Sequence, residues 1–284
     1  MTRKVSTLKQ ARQAALQGRV EEAIPRLRVY ADRGDTSASA SLAELLALQG
    51  EWEECLQRAG ELIARPQSVY AGNVFDDMIR LLSRAGRETE DWTSLLRLTQ
   101  TAEERVEENI ADFAPPKRDA ARLRYRAIFQ ALSAYAAREG VPPHELIQIF
   151  GTAEPTQAAQ DAAYQLALQN VSQQPYVRPN SLALVNHHFG LVEYFRQESE
   201  GIRLYEEERM PARFDCAVFV AKAYVRQEQT GRAWDVLWKH MRRWWPLDPA
   251  QVAPVVLLVD RDLADLMTHE RCEQVLRQHA TIAA

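Results

Sequence analysis

Three kinds of side chain in this sequence are grouped closely enough to suggest chemistry. Glu103-Glu104, Glu107-Glu108 and Glu206-Glu207-Glu208 bring carboxylates together, as a general acid and its base partner require. Their spacing also describes the wet face of a surface helix, and that reading is favoured. Cys55, Cys216 and Cys272 lie far apart, form no CxxC pair and sit in no local catalytic signature. Cys55 falls at a small-residue packing position, where a thiol behaves as a small hydrophobe. His144, His187, His188, His240, His269 and His279 contain no pair at i and i+4 and no HExxH. His187 and His188 are adjacent, so a helix would point them in different directions. No GxSxG elbow and no glycine-rich phosphate loop occurs. The sequence predicts no enzyme, no metal and no cofactor.

The segment Trp234–Trp245 interleaves aromatic and basic residues. Trp234, Trp238, Met241 and Trp245 share one helical stripe, while Lys239, Arg242 and Arg243 fall off it. Stacking on bases with phosphate contacts would make this a single-strand nucleic-acid binder. A protein-binding hot spot is a second reading. Packing of the stripe against a neighbouring helix is favoured over both, because each Trp can bury a large area.

The elements that must position these residues all read as helices, with Pro and Gly falling between periodic stretches. Leu8, Ala11, Ala15 and Leu16 form one apolar face, and Ile24, Leu27 and Val29 continue a second helix after Gln17-Gly18-Arg19. Pro25 is awkward there, since it removes a backbone donor and would kink the helix unless it lies within the first turn. Helices follow through Leu42–Leu48, Trp52–Ala64, Val74–Arg84 and Trp92–Gln100, with Gly86 at the turn between the last two. Pro115-Pro116 marks the clearest boundary. Beyond it come Arg118–Arg138, the break Gly140-Val141-Pro142-Pro143, Glu145–Phe150 and Thr156–Leu168. Regular helices resume with Ser181–Gln197, Gly201–Glu208, Phe214–Gln227 and Ala233–Trp245. Pro246-Leu247-Asp248-Pro249 precedes short helices, the last over Thr268–His279 with Thr268 as N-cap. The expected organisation is N-terminal helical repeats over 1–114, an irregular connector over 115–180, further repeats over 181–248 and a C-terminal helical cap over 249–284.

A repeat underlies this pattern. Gly18 leads to Ala23 and Gly50 to Cys55, each five positions from turn to small residue, and the two small residues are 32 apart. Gly201 and Ala233 are separated by the same 32. A period in the low thirties is the signature of stacked helix pairs, each too small to bury its own apolar face. The unit Phe214–Trp245 resembles tetratricopeptide repeats: Ala221, Tyr224, Ala233 and Leu237 match the small, aromatic, small and bulky positions of that family. Units around Leu42, Ala43 and Cys55, and around Ala11, Ala23 and Leu27, are partial matches. Phe189 replaces a small residue in the unit with Gly201 and Tyr205, and Asp91 does so near Gly86.

The resemblance implies an all-α fold, a right-handed superhelix of antiparallel helix pairs, irregular in its centre. It implies that the first helix of each pair lines a concave face. That face would carry Asn186, Glu193 and Tyr194 in one unit, and Asp215, Phe219, Lys222 and Arg226 in the next. Lys222 and Arg226 are one turn apart and could together hold a carboxylate or a main-chain carbonyl. Of the family's peptide-carboxylate clamp, only Asn186 and Lys222 give a hint.

Size and charge fit this reading. The chain has 284 residues, a formal charge of −4, 46% hydrophobic and 26% charged residues, as an ordinary folded protein does. The acidic balance argues against nucleic acid or an anionic membrane as partner. The predominance of Arg over Lys, with abundant Ala, reads as bacterial-like coding bias. Isolated cysteines suit a reducing cytoplasm, no apolar core follows the basic start Met1–Val5, and no apolar run is long enough to cross a bilayer. The expected function is non-catalytic binding of one dedicated protein partner, as an inhibitor or immunity protein for a toxin or as an effector chaperone. A small-ligand or peptide sensor with a pocket in the central region is the alternative, and an RNA-binding repeat ranks behind it. Partner identity, binding face and oligomeric state are not encoded in any motif.

Overall fold

The computed structural model describes residues 7–63, 73–91, 188–193, 195–260 and 262–278, with residues 94, 97, 115, 118, 119, 161, 164 and 165. The helices expected between Trp92 and Leu168 lie outside these residues except at the single positions named. Among the described residues every regular element is helical and none is a strand. The chain divides into two compact units, Met1–Gly151 with Pro246–Ala284, and Thr152–Trp245.

The first unit begins with α1 (Leu8–Leu16), α2 (Val20–Asp32), α3 (Thr36–Gln49), α4 (Trp52–Ile63) and α5 (Asn73–Thr89), the last running through Gly86, where a turn was expected. Thr7 caps α1 reciprocally: its hydroxyl accepts from the Gln10 backbone amide, and the Gln10 side-chain oxygen accepts from the Thr7 backbone amide. Asp35 caps α3 by accepting from the Ala38 amide at 2.9 Å. Helix α2 runs unbroken through Pro25, which is exposed and brings no amide of its own to the ladder. Each helix packs on the next, and α3 also meets α1 and α5. Consequently α3 is buried on every side from Ala38 to Leu48. Arg58 on α4 joins this layer to α2, reaching Asp32 at 2.7 Å and Glu54 at 3.2 Å.

The segment expected as a C-terminal cap packs within this first unit. It comprises α9 (Val256–Val259) against α5, a 3-10 turn at Ala264–Leu266, and α10 (His269–Gln278) against α3. Thr268 caps α10, its hydroxyl accepting from the Arg271 amide at 3.3 Å. Apolar Val252, Val255, Leu257, Leu263 and Val275 supply the buried surface that holds it there.

In the second unit, helical residues 188–193 precede α6 (Glu198–Glu206), α7 (Phe214–Arg226) and α8 (Thr230–His240), which ends in a 3-10 turn at Met241–Arg243. Phe189, Val192, Leu204, Ala217, Val220, Ala221, Tyr224, Ala233 and Leu237 are among its buried residues, on successive helices. Phe219 of α7 wedges between Phe189 and Gly201, with ring centroids 6.1 Å apart on the Phe189 side. A Cβ on Gly201 would lie 2.7 Å from the Phe219 ring. The large residue at 189, where a small one was expected, thus packs against a ring that the missing side chain at 201 makes room for.

One turn recurs in both units. After α1 the Arg19 amide donates to the Ala14 carbonyl at 2.9 Å, and after α3 the Glu51 amide donates to Leu46 at the same distance. The Gln197 amide to Val192 and the Gln229 amide to Tyr224 repeat it, again at 2.9 Å. In each case the preceding residue is left-handed: Gly18 and Gly50, but Arg196 at φ 52° and Glu228 at φ 59°.

Candidate functional site

Of the residues expected on a binding face, Asn186 and Tyr194 lie outside the described residues. Glu193 and Asp215 are brought together by Arg213, which precedes α7. Its Nε donates to Asp215 Oδ1 at 2.9 Å, and its guanidinium stands 3.7 Å from Glu193. Burial and the neighbouring Asp215 raise Glu193 above the ordinary carboxylate range. Burial pushes Asp215 the same way, but its hydrogen bond and ion pair with Arg213 outweigh this and hold it low. Cys216 joins the two carboxylates, with one donor atom from each residue within 4.8 Å of the others. Three such donors could ligate a metal only with the thiol ionised. Burial and the adjacent carboxylates instead push Cys216 up to about 12. The carboxylates are already committed to Arg213, so the arrangement works as an ion-pair cluster fixing the start of α7.

Phe219 is the packing wedge described above. Arg226 is exposed and pairs with Glu198 at the start of α6, while Lys222 is half-buried on the same helix. The carboxylates of α6 and its C-terminal end form a ladder of surface pairs. Arg203 meets Glu200 at 2.7 Å and Glu207 at 2.5 Å, and Glu206 accepts from Tyr224 Oη at 3.1 Å. Such helical pairs are the wet-face arrangement. The acidic residues 103–108 lie outside the described residues.

The remaining cysteines and two of the histidines are turned inward, whereas His269 is exposed beside Glu273 at 3.4 Å. Cys55 and Cys272 are buried, and desolvation pushes them up to about 12 and about 11. His188 lies 3.1 Å from Tyr164 Oη and 3.5 Å from Glu200, and burial lowers its affinity for a proton. His240 is buried under Tyr205, and its Nδ1 accepts from Arg243 at 3.0 Å.

The aromatic stripe divides. Met241 is in the core, Trp234 and Trp238 are half-buried and stacked at 5.6 Å, and Trp245 is 68% exposed. The change of register explains it. The 3-10 turn winds faster than the α-helix, and the extended backbone at Trp244 then carries Trp244 inward and Trp245 outward. Arg242 and Arg243 are exposed beside it.

Sequence reasoning passed over Glu44, which is fully buried at the centre of α3. Its signal was a lone acid in the otherwise small and apolar stretch Ala38–Leu48. Comparison with known proteins finds no matching family model, no matching curated protein and no matching solved structure. Among the described residues no helix is long and apolar enough to cross a membrane.

Proposed function

We propose that this chain is a non-catalytic protein-binding scaffold, a tetratricopeptide-like superhelical array in the cytoplasm that holds one dedicated protein partner. The observation that carries the reading is Trp245, 68% exposed beside exposed Arg242 and Arg243. Trp and Arg are the residues most enriched where binding energy concentrates, because they combine large apolar area with fixed donors. The recurring left-handed turn five residues before Ala23, Cys55, Gly201 and Ala233 supports the repeat architecture. The buried, protonated thiols and the Arg-neutralised carboxylates favour a structural over a catalytic role for these groups. Inhibition of a toxin, or escort of an effector, is the concrete form such dedicated binding takes here.

The experiment compares the wild-type chain with Trp245→Ala and Arg242→Ala as baits in the native cell. The wild type is expected to retain a protein in stoichiometric amount, and each variant to lose it at least about tenfold with an unchanged thermal midpoint. A tenfold loss corresponds to about 1.4 kcal/mol of binding. Absence of any stoichiometric protein, or undiminished capture by Trp245→Ala, overturns the proposal. Salt-dependent binding of single-stranded RNA at this edge would replace it with the nucleic-acid reading.

A further inference from the structure

Residues 248–255 cross α3 and α5 of the first unit as an irregular strap held through its main chain. Glu44 Oε2 accepts from the Val252 amide at 2.6 Å and from the Ala253 amide at 3.0 Å. Ser41 Oγ lies 2.6 Å from the Ala250 carbonyl and donates to it, and Gln251 Nε2 donates to Asp77 Oδ2 at 2.9 Å. Ala250, Val252, Ala253 and Val255 are buried against this face.

The arrangement leaves one polar atom unanswered. Glu44 Oε1 is buried without a hydrogen-bond partner, although Oε2 has two. The strongest charges acting on Glu44 are Asp77 from α5 and Asp248 from the strap, both negative. Charged groups on the other elements packed against α3 have partners other than Glu44. Arg12 of α1 donates to Ser37 and Ser41. Arg28 and Asp32 of α2 join Glu54 and Arg58 of α4. Arg271 of α10 donates to the Leu266 carbonyl, and Arg277 pairs with Glu273. An ionised Glu44 therefore faces two carboxylates in a dry site. A neutral Glu44 keeps both amide bonds through Oε2 and carries its proton on Oε1.

We propose that Glu44 is a proton-operated latch: with its proton it holds Asp248–Val255 on α3 and α5, and without it the strap lifts and uncovers Ser41, Glu44 and Asp77. Desolvation, augmented by Asp77 and Asp248 and only partly offset by the Val252 and Ala253 amides, raises Glu44 well above the ordinary carboxylate range. A group displaced upward favours the closed form at low pH, and that preference is lost as pH rises through its value in the fold. The latch thus closes in acid and opens toward alkaline pH.

Amide exchange on the full chain tests this, with each rate referred to its intrinsic value at that pH. Protection of the Val252 and Ala253 amides is expected to fall at least about tenfold between about pH 5 and about pH 9, tenfold being the worth of one unit of displacement. The α3 amides keep their protection over that range. Glu44→Gln, which retains an acceptor without the charge, is expected to abolish the fall. Should that variant not fold, Asp248→Asn serves instead, at a half-exposed position that keeps an acceptor for the Ala250 amide. It is expected to shrink the fall and move it to lower pH. A flat wild-type profile, or a fall unchanged in the variants, overturns the latch. So does equal loss in the strap and in α3, because that reports unfolding of the whole unit.

Discussion

Glu228 turns the backbone into the left-handed region at φ 59°, and five residues later the Ala233 amide closes on the Gln229 carbonyl at 3.0 Å. Gly18 stands in the same relation to Ala23, whose amide closes on Arg19 at 3.0 Å. The turn is thus set by hydrogen bonding around it, and three of the six such turns among the described residues, those at Arg196, Glu208 and Glu228, hold a side chain in a conformation that glycine adopts without strain. Glu228→Gly and Arg196→Gly are each expected to stabilise the protein by about 1 kcal/mol. Denaturant midpoints should rise with an unchanged slope.

Gly18 and Gly50 share the left-handed turn but not their surroundings. A Cβ on Gly18 would lie 2.6 Å from the Arg277 carbonyl oxygen of α10, whereas Gly50 has open space there. Gly50→Ala is expected to cost about 1 kcal/mol, the conformational penalty alone. Gly18→Ala should cost roughly 1–3 kcal/mol more, since backbone at α10 must move. Equal losses in thermal melts would refute the close approach of the Gly18 turn and α10.

Gly201→Ala drives a methyl group into the Phe219 ring. The expected loss is about 1–3 kcal/mol. Phe219→Leu in the same chain should recover part of it, because the smaller side chain vacates the contact. A double-mutant cycle measures this directly, with a coupling of at least about 0.5 kcal/mol expected.

His240 is held neutral by burial, by Arg243 at its Nδ1 and by Lys239, and its pKa is pushed down to about 4. Because an arginine can only donate, Nδ1 is the acceptor and the proton sits on Nε2. The stability this contributes is complete above the ordinary histidine value near 6.5 and is lost as pH falls toward about 4. His240→Asn should flatten the acid limb of a stability-versus-pH profile between those values. A limb unchanged in the variant assigns the acid sensitivity to other groups.

Local signals made most helices legible. Caps such as Thr268, the Gly18 and Gly50 turns and the period of buried Leu and Ala residues all act within a few positions of themselves. Pro25 stood out in the sequence because proline removes a donor, yet α2 runs through it at an exposed position. The aromatic stripe misled because a helical projection extends only while the helix does, and the 3-10 turn after His240 ends it. On the candidate face, Glu193 and Asp215 were recognisable as charged positions, but Arg213 as their common partner was not. Glu44 was hardest to read, since its partners Val252 and Ala253 offer backbone amides and are far away in sequence.

The first unit is assembled from two stretches of chain, with residues 152–245 inserted between them. During synthesis α3 therefore leaves the ribosome well before the strap and α10 that cover it. The inserted unit can complete its own helices first, while the earlier helices wait with an apolar face and the Glu44 carboxyl in water. In a chain interrupted after Trp245 the first unit would never close, giving a nascent or prematurely ended product the kind of exposed surface that chaperones and proteases recognise.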